Sequence, residues 1–450
     1  MARTDLPSSV VSGRERREIM RKMGVATVSV SRSPVVSSRR WLWAKPVGGV
    51  HQRGFWERWE LWAKSGEGED VGEEEMYSPI LLCYSTTSTT ALQELPWKLK
   101  TSLSKQPDGI LQVNCNNEGA VFIEASSETD LTTFLLSPPI NRFKELLPVK
   151  TRIFRHSEPI LLLQFTKFLN GYVLGFSISH VIADAASMAL FLNCWAETAR
   201  GIEEDRIAMP CFTSASTLFP PKPLTIAYQE PEEPLENSEL VAKRFVLSSS
   251  SIKRLRESAY KRSDQMRPTR VEAVTTLVIR SVMRSTASEE VGKVLLSQLV
   301  NLRKRFTGLS DLSIGNLWSV GVSFIEGGVG QEEVEKLLRE SVRGVNEEGV
   351  RNGAERTFAG KNEGKGEGDW KGRMKERPWI FSSWCRMGFY KTDFGWGEPE
   401  WIGSGFRGMK DACLLIDGKD GEGIELWLGM EREEMQRLEN DEEFLSFACA

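Results

Sequence analysis

Residues Leu161 to Arg200 read LLLQFTKFLNGYVLGFSISHVIADAASMALFLNCWAETAR, and the rest of the chain is organised around them. Leu161 to Leu169 is apolar enough for a buried strand. Asn170-Gly171 predicts a two-residue hairpin of type I′, whose central residues take positive φ. Tyr172 to Ser179 returns as a second strand. From about Ala183 the apolar residues fall on a helical period, with Met188, Phe191, Leu192, Trp195 and Ala199 on one face. His180 and Asp184 therefore stand where strand becomes helix, held by a rigid element on each side. The spacing His-x-x-x-Asp also suits a pair of metal ligands. The chain has three histidines, His51, His156 and His180, and no Cys-x-x-Cys, so a third ligand has no evident source. Gly175-Phe-Ser177-Ile-Ser179 lacks the last glycine of a nucleophile elbow. A lone histidine base remains, with an aspartate that fixes its surroundings.

Far downstream stands Asp393-Phe394-Gly395-Trp396-Gly397. With His180-x-x-x-Asp184, in this order, it resembles the BAHD acyltransferases, a plant acyl-CoA-dependent family. Asn301-Leu-Arg303-Lys, Ser313-Ile-Gly-Asn-Leu-Trp318, Phe381-Ser-Ser-Trp384 and the stretch from Asp417 to Trp427 agree. The resemblance runs from about Met76 to the C-terminus. Ala185 replaces the glycine usual after the aspartate, as in the vinorine synthase-like branch.

Composition narrows the class independently. A net charge of -4 argues against a nucleic-acid partner, and no apolar run has the length of a membrane span. Seven scattered cysteines fit reduced thiols rather than a disulfide framework. Residues 1–56 carry 11 Lys+Arg and 3 Asp+Glu, so the remainder sums to -12. Arg/Ser-rich and acid-poor, residues 1–75 read as a divergent segment, either a plastid transit peptide or a mispredicted first exon; the family's first strand is not evident there. Leu92 to Leu103 reads as a short helix. The family continues it through Tyr-Pro-Leu-Ala-Gly-Arg before the Asp-Gly that stands here at Asp108-Gly109. Here Ser104-Lys-Gln-Pro leads straight in, and the shortening implies a strained first domain with impaired activity.

The expected fold is α/β with mixed sheets, since strands and helices alternate without a regular βαβ period. The resemblance implies two domains of the chloramphenicol-acetyltransferase type with a channel between them. They are placed at 76–212 and 241–450, joined by a Pro-rich crossover at 213–240. Gly353 to Gly372 reads as a loop, and Glu431 to Phe447 as one closing helix. Ser248 to Ser251 offer N-caps for a helix carrying Lys253 and Arg254, and a helix N-terminus with basic neighbours suits phosphate. The resemblance assigns Ser249, Ser250, Lys253, Arg254, Asn301 and Arg303 to coenzyme A. It makes His180 the base that deprotonates an alcohol, and Trp384 and Ser382 the donors to the tetrahedral oxyanion. Asp184 points away to an arginine, and Asp393 to Gly397 form a structural bend.

The implied activity is O-acylation of a small specialised-metabolite alcohol by acetyl-CoA or a similar donor. The enzyme would be a cytoplasmic monomer with no metal and no membrane or nucleic-acid partner. Two other classes compete: a catalytically silent, partner-binding relative, favoured by the missing segment, and a condensation-domain-like enzyme using carrier-bound acyl groups. The Asp-Phe-Gly-Trp-Gly stretch and the lack of carrier modules count against the latter.

Overall fold

The computed structural model describes residues 27–31, 77–85, 102–105, 111–114, 121–136, 140–143, 145–148, 160–180, 182–219, 240–260, 267–285, 293–351, 356–359, 377–405 and 409–449. Fifteen strands are described. The first seven are β1 Thr27–Ser31, β2 Tyr77–Tyr84, β3 Ser102–Lys105, β4 Leu111–Asn114, β5 Val121–Ser126, β6 Leu161–Phe168 and β7 Gly171–Ser179. The others are β8 Leu240–Leu247, β9 Lys293–Asn301, β10 Trp318–Glu326, β11 Arg356–Ala359, β12 Arg377–Ser383, β13 Trp401–Ser404, β14 Ala412–Asp417 and β15 Ile424–Glu431.

They form two mixed sheets and a two-stranded ribbon. The first sheet runs β1-β5-β6-β7-β2-β13, with β5 and β6 parallel and its other neighbours antiparallel. The second runs β11-β10-β9-β12-β14-β15-β8, with β12 parallel to both β9 and β14. Every residue of β7 is buried, Ser177 and Ser179 included, so both faces of the strand are covered and its sequence GYVLGFSIS carries no charged residue. One core surrounds β2, β6, β7 and the helix Ala185–Ala199, and reaches Leu414, Ile416 and Trp427 of the second sheet. A second lies between the second sheet and the helices Ser249–Tyr260 and Arg270–Ser285.

Several expectations change. The β6–β7 hairpin forms, with Phe168 opposite Gly171, but its turn is Leu169-Asn170 and neither residue has positive φ. Gly171 is instead the first strand residue, required because a Cβ there would lie 2.4 Å from the Tyr84 carbonyl oxygen. Asn170 contributes through its side chain. Its Oδ1 accepts from the Leu131 N–H at 2.7 Å, and its amide donates to the Thr132 hydroxyl. Residues 1–75 do supply an edge strand, β1, antiparallel to β5.

Ser102 and Leu103 belong to a strand, not to the end of a helix; residues 92–101 lie outside the described residues. Lys105 pairs with Leu111, so the short link at Asp108 joins two adjacent antiparallel strands and has only a hairpin's width to span. The crossover begins with a helix, Thr213–Leu218, that packs Ala215 on Val300, Leu302 and Phe306; residues 220–239 lie outside the described residues. Arg356–Ala359 forms an edge strand in the expected loop, whose other residues from 360 to 372 lie outside the described residues. The closing helix is two, Arg432–Leu438 and Glu442–Leu445, because Asp441 takes an extended conformation and accepts from the Phe444 N–H.

Candidate active site

The end of β7 is fixed before the histidine is reached. The Ser179 N–H donates to the Ile160 carbonyl at 2.8 Å, and the Ile182 N–H donates back to the Ser179 carbonyl at 3.2 Å. His180 stands in this tight turn, half-buried. Its carbonyl accepts from Asn316 Nδ2 at 2.5 Å, while its imidazole has no hydrogen-bond partner among the described residues.

Asp184 is the N-cap of the helix Ala185–Ala199, extended at φ -79 and ψ 177. Its Oδ1 accepts from the Ser187 N–H at 2.8 Å, which satisfies one of the helix's unpaired donors. The guanidinium of Arg303 forks onto both oxygens, Nη1 to Oδ2 at 2.8 Å and Nη2 to Oδ1 at 2.9 Å. The Leu317 N–H donates to Oδ2 at 3.0 Å. A carboxylate offers about four acceptor positions, and these four donors occupy them. None of the four is His180, so a His–Asp relay has no acceptor to run through.

Arg303 is as fully committed. It also donates to the Ser313 carbonyl at 2.9 Å, the Asn301 Oδ1 at 3.2 Å, the Gly315 carbonyl at 3.2 Å and the Ser187 hydroxyl at 2.8 Å. Its side chain is 1% exposed. Arg303 and Asn301 were expected to meet coenzyme A. The structure instead puts Arg303 inside the protein as the counter-ion of Asp184, and Asn301 is the residue that orients it.

The Trp384 side begins where β12 ends. Trp379 and Phe381 point into the second core, and Ile380 into the opposite face, so alternation puts Ser382 on the face of Ile380. Ser382 and Trp384 are both half-buried. The Trp384 N–H donates to the Leu415 carbonyl at 2.8 Å, and its ring lies 5.6 Å from that of Phe389. Trp384 packs on the first core, the cluster that also buries Ile182 and Ala183 of the histidine turn. Its indole N–H donates to no described residue. Asp417 braces the following turn, accepting from the Arg386 N–H at 2.5 Å on Oδ2 and from Arg270 at 2.9 Å on Oδ1.

The Asp393 bend is built on backbone. Asp393 Oδ1 accepts from the Gly395 N–H at 2.7 Å and the Gly397 N–H at 2.9 Å. Both glycines have left-handed φ, 97° and 89°, which a side chain would strain. Phe394 packs edge-on to Trp195 with centroids 4.9 Å apart, and Trp396 edge-on to Tyr84 at 5.3 Å. Arg200 at the end of the central helix pairs with Asp393 at 3.4 Å.

At the helix Ser249–Tyr260, the Ser248 hydroxyl accepts from the Ser251 N–H at 3.1 Å and lies 2.9 Å from that of Ser250. Ser249 bonds to Asp420, whose carboxyl is held below its ordinary value first by the Gly423 N–H at 2.7 Å. Arg254 is exposed, donates to the Ser446 carbonyl and lies over the Phe447 ring. Lys253 is exposed, with no ion-pair partner among the described residues. Sequence reasoning missed Ser187 and Leu317, whose roles appear only when residues more than a hundred positions apart are brought together. Among the described residues, no group of three His, Cys, Asp or Glu side chains could hold a metal ion, and no helix is long and apolar enough to cross a membrane.

The model of the Transferase family matches residues 97–445. The chain is 30% identical to limonoid 21-O-acetyltransferase of Citrus sinensis over 348 residues, 75% of this chain and 79% of that one. It is 30% identical to salutaridinol 7-O-acetyltransferase of Papaver somniferum over 429 residues, 81% and 89% of the two chains. In fold it is similar to the crystal structure of vinorine synthase, with a TM-score of 0.67, 24% identity, and 94% and 98% of the chains covered. The chain belongs to the BAHD family of plant acyltransferases. It is an acyltransferase enzyme, built on the two mixed sheets of that family.

Proposed function

We propose that this enzyme transfers an acetyl or similarly small acyl group from coenzyme A to a hydroxyl of a terpenoid or alkaloid alcohol. The acetyltransferase names of the relatives, for limonoid and salutaridinol acceptors, support the substrate class. One observation carries the mechanism: the carboxylate of Asp184 is saturated by Arg303, Ser187 and Leu317, while the imidazole of His180 has no described partner. His180 then acts alone as general base. It takes the proton of the acceptor hydroxyl as the oxygen forms its bond to the thioester carbonyl. The electron pair of the C=O moves onto oxygen, where the Trp384 indole N–H and the Ser382 hydroxyl donate to it. Collapse re-forms the C=O and breaks the C–S bond, and the proton on His180 passes to the departing sulfur. The products are an ester and free coenzyme A. The N-terminus of the helix at Ser249 and Ser250, with Lys253 beside it, is suited to a phosphate of coenzyme A. The protein works as a cytoplasmic monomer, with its two halves meeting across the acyl-transfer channel.

The test incubates the protein with acetyl-CoA and a panel of limonoid, other terpenoid and alkaloid alcohols, reading free coenzyme A and the mass of the ester. Turnover on at least one alcohol is expected, together with a rise in thermal midpoint with coenzyme A. His180→Ala should remain folded and lose about 10²- to 10⁴-fold in rate. Near-normal turnover by that folded variant would remove His180 from the chemistry.

A further inference from the structure

The helix capped by Asp184 follows directly on the turn that carries His180, and the segment from Trp384 to Thr392 carries the indole of the second proposed group. These two elements are tied together by one side chain. Asn193, half-buried on the helix, donates from Nδ2 to the Gly388 carbonyl at 3.2 Å and accepts at Oδ1 from the Thr392 hydroxyl at 2.9 Å. Each end of the amide is therefore used on the same segment. Gly388 has a left-handed φ of 83° and opens the short 3-10 turn Phe389–Lys391. Phe389, next to it, is the residue whose ring lies against Trp384. Thr392 is fully buried, and its carbonyl accepts from the Tyr84 hydroxyl at 2.9 Å. The segment is thus pinned at its start by the bond from Trp384 to Leu415 on β14, and at its far end by Tyr84 and Asn193.

We propose that Asn193 is a positioning residue, which fixes the gap between the His180 base and the Trp384 indole N–H by locking the 384–392 segment to the helix that follows the histidine turn. The proposal rests on the roles given above to His180 and Trp384. An oxyanion donor acts only within about 2.7–3.1 Å of the place the oxyanion will occupy. A misplacement of about 1 Å costs on the order of 10²-fold in rate. The amide that holds Phe389 and Trp384 in place then governs kcat without touching either substrate.

The test is a double-mutant cycle of Asn193→Ala and Trp384→Phe, with acetyl-CoA and the panel alcohol of fastest turnover. Backbone hydrogen exchange of residues 384–392 is measured in parallel. Asn193→Ala is expected to lower kcat about 10- to 100-fold with the KM for acetyl-CoA within about twofold, and to raise exchange across 384–392. Trp384→Phe should lower kcat about 10²- to 10³-fold. In its background Asn193→Ala should cost less than about twofold, because the donor it positions is already gone. Thr392→Val, which keeps the shape and removes one of the two bonds, should show a smaller loss of the same kind, and it replaces Asn193→Ala in the cycle if that variant does not fold. Losses that multiply in the double variant, unchanged exchange at 384–392, or an effect confined to the thermal midpoint would each overturn the proposal. An undiminished kcat in Trp384→Phe alone would show that the indole's assigned role had failed, and Asn193's role with it.

Discussion

At the scale of single residues, the site is organised by one carboxylate. Asp184 caps the central helix, pairs with Arg303 and receives the Leu317 N–H, so it holds together the histidine turn, the helix and the entry to β10. Asp184→Asn keeps the size of the side chain and replaces one acceptor oxygen by a donor that faces Arg303 or a backbone N–H. Breaking a buried pair from one side costs about 3–5 kcal/mol, because the partner charge stays buried. A fall in urea-unfolding stability on that scale is expected, with loss of turnover following the loss of loop geometry. Full stability with lost turnover would argue for direct chemistry at Asp184. A second prediction concerns Asp420 at the β14–β15 turn. The Gly423 N–H, followed by the Glu422 N–H and the Ser249 hydroxyl, favours its ionised form. A carboxyl depressed on folding contributes stability above its unfolded pKa and loses that contribution as pH falls through the folded value. Asp420→Asn should therefore have a lower thermal midpoint than the wild type at pH 7. The two melting curves should draw together as pH falls below the ordinary aspartate value of about 3.9 and through the lower folded value. A difference constant from pH 7 to pH 2 would rule the linkage out.

At the scale of elements, the sequence was most legible where one element dictates its own pattern. The apolar runs of β6 and β7, the helical period after Ala183 and the glycine-bearing bend at Asp393 could each be read from a short window. Misreadings arose where partners are remote. Asn170-Gly171 looked like a turn needing positive φ, yet Gly171 is small because Tyr84 and Leu131 press on it from two other elements. The consequence is measurable. In Gly171→Ala the new methyl would lie 2.4 Å from the Tyr84 carbonyl oxygen and 2.5 Å from the Leu131 side chain. Overpacking of this kind costs typically about 1–3 kcal/mol, and a thermal midpoint lowered accordingly is expected, with hydrogen exchange raised at β2 and at the helix Leu131–Leu136. A variant as stable as the wild type would mean that the close approach relaxes freely. Two of the coenzyme A assignments meet partners for a similar reason. Arg254 and Arg303 were counted as available cations, but composition cannot show that Ser446 and Asp184 already hold them.

At the scale of the whole molecule, the two sheets are sewn together at several points. β13 comes from the second half of the chain and pairs with β2 in the first sheet, Trp401 opposite Cys83. The Trp401 indole N–H in turn donates to Glu425 of the second sheet at 2.9 Å, and Arg244 pairs with the same carboxylate at 2.6 Å. Four-residue strands such as β13 carry too little pattern to declare which sheet they join, so the expected boundary after residue 240 did not reveal this exchange. The edge strand β1 escaped notice for the same reason, lying in a segment whose charge pointed elsewhere.

The insertion of β13 also sets a timetable for synthesis. The hydroxyl of Tyr84 reaches the carbonyl of Thr392, 308 residues later, and β2 gains its outer neighbour only after that. At about 5–20 residues per second, a ribosome takes on the order of tens of seconds to cover that distance. Throughout that interval the outer edge of β2 has its N–H and C=O groups open, and an open edge invites pairing with another chain. Stalled nascent chains ending near residue 390 should therefore be captured by chaperones and cut readily by protease, whereas full-length chains released from the ribosome should resist both. Equal resistance of the two would mean that the first sheet closes its edge without β13. The emerging first half, on this account, waits for its last strand to be made.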